Sequence, residues 1–351
     1  MKKKLLISDI ARQLNVSITT VSFILNGKAK EKRISDSLAE KVLKLVEDLD
    51  YKPNQLARSL RTGKTKTIGL MVEDISNPFF ANIARLIEEK AYREGYKIIY
   101  CSTEDDPEKT LDLINMFRDK HVDGYIITPP KGVKAAIQEL INDGFPVVLV
   151  DRYITGLHTN FVVVDNMTGA YNATDHLIEQ GYRRIALVTT DSEQNQMLQR
   201  QEGYRRALEN RHLEPTVLAI PYRESAEQMI RQIAAFLSEQ KQVDAVLFAT
   251  NYMAVRGLEA ISRLDLAVPS DIGVVAYDDH DVFRFYKPSI TAVAQPTEAI
   301  ANQVISVMLR LLNDNSKTMQ AETCTLPTSL LVRNSTPRRQ QKTTAPDLES
   351  V

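Results

Sequence analysis

With 351 residues, 43% of them hydrophobic and 25% charged, the chain is long enough for two or three domains with buried cores. Its net charge of −1 hides a division: residues 1–66 hold 15 Lys and Arg against 7 Asp and Glu, a surplus of +8, which leaves −9 on the remainder. Two distant cysteines, Cys101 and Cys324, argue against a zinc cluster or a disulfide scaffold, and no apolar run approaches the roughly 18 residues of a membrane span, so a reduced, cytoplasmic protein without a metal is expected.

A basic module on an acidic body points to a polyanion partner for the module, the plainer reading being a solvated charged face. The opening MKKKLLISDIARQLN is basic and briefly apolar, but Ser8, Asp9 and Arg12 interrupt it before an export signal is complete. Ile7, Ile10, Ala11 and Leu14 recur at helical spacing, which predicts a short helix capped by Ser8 and ending near Asn15. A second helix follows, capped by Ser17, with Val21, Ile24 and Leu25 as its buried stripe and Asn26-Gly27 as its left-handed stop. A third is predicted from about Ser35 to Asp50, with Leu38, Val42, Leu45, Val46 and Leu49 inward and Ser37 to Glu40 at capping-box spacing. Two short helices joined by a tight turn and closed by a third read as a helix-turn-helix unit, whose second helix enters the major groove with Ile18, Thr19, Thr20, Ser22 and Phe23 outward. A three-helix bundle without a nucleic acid fits the same periodicity. Pro53 to Arg61 is too short to persist as an isolated helix, and with Ala57 and Leu60 on one face it is predicted to be helical only in context or to be an ordinary linker.

After Thr67 apolar runs alternate with amphipathic stretches: TIGLMV, KIIYCST, GYIITP, PVVLVD, NFVVVD, RIALVTT, AVLFAT and IGVVAYD. That pattern predicts parallel sheets flanked by helices, divided into a lobe from 67 to about 160 and another from 163 to about 288. Ligands of such sheets gather at the carboxyl ends of strands. The residues there are Asn77, Phe79 and Phe80 after the first run, Asp151 and Arg152 after PVVLV, Arg200 on the helix after RIALVTT, Asn251 after AVLFAT, Asp278 after IGVVAY and Gln295 after ITAVA. Carboxylates, guanidinium groups and amides beside two aromatic rings suit a polyol with apolar C–H faces. Taken singly, the rings are commonly core, an Asp at a strand end commonly caps, and the arginines could pair with surface acids. Catalysis is disfavoured, because the chain has no nucleophile elbow and no phosphate-cradling glycine loop, only 13 glycines, and scattered histidines. No cofactor is expected.

ISDIARQLNVSITTVSFILNG, the third helix and then DYKPNQLARSLRTGKTKTIGL together resemble the lactose-repressor family of bacterial regulators. NPFF, LVDR, QRQEGY, ATN, YDD and AQP resemble, in that order, the ligand-contact segments of periplasmic ribose-binding proteins and their repressor relatives, so the resemblance spans about residues 1–335. It implies an N-terminal all-α helix-turn-helix domain (1–52), a hinge helix and linker (53–66), an α/β two-lobed periplasmic-binding-protein-like core (67–337) and a disordered tail (338–351). It further implies DNA contacts from Ser8, Ser17, Ile18, Thr19, Thr20, Ser22, Phe23, Asn26, Tyr51, Asn54, Ala57 and Leu60, the last wedging into the minor groove. The effector residues it implies are Asn77, Phe79, Phe80, Asp151, Arg152, Arg200, Asn251, Asp278 and Gln295. The function implied is a sugar-responsive repressor that binds a pseudo-palindromic operator as a homodimer. A regulator answering to a protein corepressor and a solute-binding receptor stay open. The chain departs from the family at Phe23, where arginine or histidine is usual, at Tyr252, where Asp is usual, and at Tyr222, which only loosely represents an aromatic lid.

Overall fold

A computed structural model describes residues 5–51, 63–313 and 321–339, and the chain divides into two compact units, Met1–Thr65 and Lys66–Val351. The first is helical: α1 (Ile7–Gln13), α2 (Ile18–Leu25) and α3 (Asp36–Asp48) close around Ile10, Ala11, Val21, Ile24, Val42 and Tyr51. Ser17 caps α2 as expected, its Oγ accepting from the Thr20 amide at 3.0 Å, and Gly27 turns the chain with φ +70°.

Two caps differ from the sequence reading. Helix α1 begins a residue earlier than Ser8, because the Leu6 amide donates to the Asp9 carboxylate at 2.9 Å and the acid closes the first turn from inside. Helix α3 is capped by Ser35, which accepts from the Leu38 amide, so Ser37 lies within the helix. Leu49, expected inward, is exposed, because the helix ends at Asp48 and the chain leaves the stripe there. The predicted hinge segment around Asn54, Ala57 and Leu60 lies outside the described residues.

In the second unit the strands are β1 (Thr67–Val72), β2 (Lys97–Ser102), β3 (Gly124–Ile127), β4 (Val147–Val150), β5 (Asn160–Val164), β6 (Ile185–Asp191), β7 (Thr216–Pro221), β8 (Ala245–Phe248), β9 (Gly273–Tyr277), β10 (Thr291–Ala294), β11 (Thr323–Leu326) and β12 (Ser329–Leu331). The helices between them are α4 (Pro78–Arg93), α5 (Pro107–Asp119), α6 (Lys134–Asn142), α7 (Asn166–Glu179), α8 (Asn195–Glu209), α9 (Ala226–Glu239), α10 (Asn251–Arg263), α11 (Asp281–Phe285) and α12 (Thr297–Asn313). One sheet has the order β11-β5-β4-β3-β1-β2 and is wholly parallel; the other has the order β12-β10-β9-β8-β6-β7, with only β12 antiparallel. Buried on both faces by helices, these strands carry continuous Val, Ile and Leu runs rather than alternation.

The lobes are not consecutive stretches of chain. NFVVVD supplies β5 of the first sheet, where Val148 pairs with Asn160, and α12 returns to pack Ile300, Val304 and Met308 against Leu70 and Ile126 of that same lobe. The chain therefore crosses between lobes after β5, after β10 and after β11, and the expected division near 160 and 288 is replaced by this interleaving. Periodicity identifies a strand but not the sheet that receives it. Arg339, inside the segment expected to be a loose tail, donates its amide to the Gln180 carbonyl at 2.8 Å and pairs with Asp244 at 3.1 Å.

Helices α7 and α8 approach most closely at Gly203, where an added Cβ would meet the Met167 carbonyl oxygen at 2.2 Å and the Tyr171 amide nitrogen at 2.9 Å. Both neighbours are backbone and neither can swing aside. Gly203→Ala is expected to destabilise this unit by roughly 1–3 kcal/mol through overpacking, read as a lower urea midpoint at unchanged slope; an unchanged midpoint would show that the helices separate at no cost.

Candidate functional site

On the first unit, the outward face of α2 carries Ile18, which is 51% exposed, and exposed Thr19, with Thr20, Ser22 and Phe23 half-buried beside them. Ser17 and Thr20 share a hydroxyl contact of 2.8 Å, and the Asn26 amide donates to the Ser22 carbonyl at 2.6 Å, so the polar side chains at both ends of the helix are held in place. Lys32 Nζ lies 5.5 Å from the centre of the Phe23 ring, which sets a cation beside the departure from the family pattern. Ser8 is half-buried in the first turn of α1, while Tyr51 is only 8% exposed and belongs to the helical core. Asn54, Ala57 and Leu60 are outside the described residues.

In the second unit, a cleft of about 490 Å³ opens where the carboxyl ends of both sheets face each other. From the first lobe come Glu73 beyond β1, Asp105 beyond β2, and Asp151 and Arg152 beyond β4; from the second come Arg200 on α8, Tyr252 beyond β8 and Asp278 beyond β9, with Gln295 on the crossover after β10. Asp151 and Asp278 both hold left-handed backbone, at φ 70° and 69°. That conformation costs about 1–2 kcal/mol for a residue with a Cβ and is tolerated best by short polar side chains. Two strands in different lobes thus end in the same strained turn, each delivering a carboxylate to the cleft.

Arg152 is buried and pairs with Glu73, with Asp105 at 2.7 Å and with Asp151 at 3.4 Å. Burial lowers its pKa, yet a guanidinium keeps its proton, so it stands as a fixed cation among three acids. Arg200 donates to Asn166 Oδ1 at 2.9 Å and to the Ala249 carbonyl at 2.6 Å, lies 3.6 Å from Asp278, and stacks 3.7 Å above the Tyr277 ring. Gln295 donates to Asp278 at 2.5 Å. Burial pushes Asp151 up to about 7, Asp278 and Asp105 adding to the rise against the opposing pull of Arg200. Burial likewise raises Asp105 to about 6 and Tyr252 to about 12.

Phe79 and Phe80 meet edge to face at 5.0 Å and are at once core of the first lobe and wall of the cleft. Asn251 does not line the inner cleft. Its amide bridges the lobes instead, donating to Asn77 Oδ1 at 2.9 Å. Gln194 to Asp105 at 2.5 Å, Asn195 to the Tyr153 carbonyl at 2.9 Å, Arg223 to Asp106 at 2.7 Å and the pair Lys131–Glu193 complete the bridging. Glu73, Asp105 and Gln194 were not among the residues expected from sequence, although Glu73 directly follows the TIGLMV run and the strand-end rule would have reached it. The described residues hold no group of three side chains placed for a metal ion, and no helix among them is long and apolar enough to cross a membrane.

Residues 6–54 match the model of bacterial regulatory proteins, lacI family, and residues 174–336 match a periplasmic binding protein-like domain. The sucrose operon repressor of Pediococcus pentosaceus is 32% identical over 332 residues, which span 94% of this chain and 98% of that protein. The HTH-type transcriptional repressor PurR of Haemophilus influenzae (strain PittEE) is 31% identical over 339 residues, again 94% and 98% of the two chains. A structure of the lac repressor dimer bound to operator and the anti-inducer ONPF has the same fold, with a TM-score of 0.84 over 95% of this chain and 100% of that one at 24% identity.

Because Asp151 and Asp105 have pKa values raised from 3.8 to about 7 and about 6, the folded chain holds protons that the unfolded chain has released across that window. The sign follows: this contribution to stability is complete below about pH 4 and is lost as pH rises through 6 and 7. The thermal midpoint of the protein is expected to carry a downward component between about pH 4 and 7, and Asp151→Asn, which tolerates the same backbone, should flatten it. An unaltered slope in the variant would mean that Asp151 is ionised throughout.

Proposed function

This chain belongs to the lacI family of bacterial regulatory proteins, and on that premise we propose that it is a cytoplasmic repressor which binds a pseudo-palindromic operator as a homodimer and responds to a small carbohydrate. The observation that carries the carbohydrate is the meeting, in one cleft, of four carboxylates and two buried guanidinium groups drawn from both lobes. Each hydroxyl of a polyol both donates and accepts, so it can satisfy an acid and an arginine together. Phe79, Tyr222 and Tyr252 supply faces for its C–H groups. A purine is the rival suggested by the relative named PurR; the density of charge favours the polyol.

Dimerisation follows from specificity, since one recognition helix reads too few bases whereas two related by a two-fold axis read a palindrome. Each sheet ends in an edge strand, paired on one side only among the described residues and bearing an exposed apolar side chain, Tyr100 on β2 and Val217 on β7, which are surfaces a second copy could cover. In the DNA-binding unit, Ile18, Thr19 and Phe23 are assigned to base edges, with Ser17, Thr20, Ser22 and Asn26 toward the backbone and Ser8 and Asn54 among the further contacts, whereas Tyr51 is buried in the helical core that supports them. Ala57 and Leu60 are assigned to the minor groove. The effector acts by binding the DNA-competent and incompetent states unequally.

Selection from randomised duplexes with the whole chain is expected to yield a palindrome bound at least ~10³-fold tighter than unrelated DNA at physiological salt. Arg200→Ala should keep that affinity and lose the carbohydrate response, with circular dichroism confirming the fold; a normal response would remove Arg200 from the site. Selection that returns no palindrome would end the dimeric reading.

A further inference from the structure

The inner cleft does not end at its aromatic wall. Beyond it lies a second cavity with about 1130 Å³ of empty space, open to solvent, which shares Glu73, Asn77, Tyr222 and Tyr252 with the first. The two rings thus stand at a junction between two chambers. Where the outer chamber departs from the inner one, apolar walls at Pro78, Ala226, Met229 and Val255 stand beside polar groups: Arg256 on α10 makes no ion pair or hydrogen bond among the described residues, and His280 Nδ1 accepts the Val282 amide at 3.0 Å. With Nδ1 accepting, a neutral ring carries its proton on Nε2, which is left as a donor. Two donors with uncommitted protons, three carboxylates (Glu73 at the junction, Asp74 and Glu224) and a pair of phenol rings repeat the kinds of group found in the inner cleft.

We propose that the effector is a disaccharide, with one ring among the buried carboxylates and arginines, the glycosidic bond passing between Tyr222 and Tyr252, and the second ring in the outer chamber on Arg256 and His280. This rests on the reading of the inner cleft as a carbohydrate site. The acids and arginines of the inner cleft already bond one another. A single ring must replace those bonds using its own hydroxyls. A second ring adds contacts at groups that have no partner to give up, so it adds affinity without a matching loss.

The test uses the whole chain and titration calorimetry with glucose, fructose, galactose and ribose against sucrose, maltose, cellobiose, lactose and trehalose. One disaccharide is expected to bind at least about tenfold tighter than either of its component sugars. Val255→Trp, which fills the outer chamber from a half-buried position on α10 outside the inner cleft, should bring that disaccharide down to the monosaccharide level and leave monosaccharide affinity unchanged. Arg256→Ala should give a smaller loss in the same direction, and it guards against a misfolded tryptophan variant. A monosaccharide that binds as tightly as every disaccharide, or disaccharide binding indifferent to both variants, overturns the two-ring ligand while leaving the carbohydrate reading intact. Binding of none of these sugars overturns both.

Discussion

The burial of Arg152 and Arg200 is the constraint to which the rest of the second unit answers. A guanidinium removed from water costs several kcal/mol unless its neighbours return that energy, and removing one partner of such a pair leaves a charge stranded. Arg152 gathers Glu73, Asp105 and Asp151 from three different strand ends, and Arg200 gathers Asn166, the Ala249 carbonyl, Asp278 and the face of Tyr277. Each cation thereby fixes where several strands must stop. Burial pushes the Asp151 carboxyl up to about 7 against the pull of Arg200, and repulsion from Asp278 and Asp105 adds to the rise in a cleft where acids outnumber cations. Neutral hydroxyl groups are a partner that such acids can take without adding charge.

The three crossings between lobes give this arrangement its mechanical consequence. Lobes joined by strand-to-helix connections after β5 and β10 and by the short strand-to-strand link from β11 to β12 can change their mutual angle without breaking either sheet. What holds them is the row of side-chain contacts from Gln194, Asn195, Arg223 and Asn251 to the opposite lobe. The bonds from Gln194, Asn195 and Asn251 each contribute about 1 kcal/mol net, because water takes their place on opening, and the exposed Arg223–Asp106 pair is screened by solvent. A change of angle is therefore opposed by only a few such bonds, and differential affinity is the only means by which a ligand can move an equilibrium of that kind.

Much of this could be read from residues alone where the physics is local. The Ser17 cap, the Gly27 stop, the apolar runs of the parallel strands and the residues following β4, β9 and β10 all depend on a few neighbours in sequence. The misreadings share a different cause. Ser8 and Ser37 each have a residue spacing that permits a cap, but the choice among adjacent candidates was decided by which side chain the backbone turn left free, and Leu6 with Asp9 and Ser35 won. Assignment of β5 to a lobe depended on pairing with β4, a contact invisible to periodicity. Asn251 was placed correctly at a strand end, yet whether such a residue faces ligand or the other lobe is settled only across the cleft.

Asn77 shows how these levels meet in one side chain. Its Oδ1 caps α4 by accepting from the Phe79 amide at 3.1 Å and also accepts from Asn251 across the cleft at 2.9 Å, which commits the oxygen and identifies the other amide atom as nitrogen. That Nδ2 has no bond among the described residues, and the residue lines both the inner and the outer chamber. An aspartate would serve equally as a helix cap and as an interlobe acceptor. It would also add a fifth acid to a cleft whose acids already repel one another, and it would remove the donor. Local folding tolerates either residue at this position; the electrostatics of the cleft select the amide.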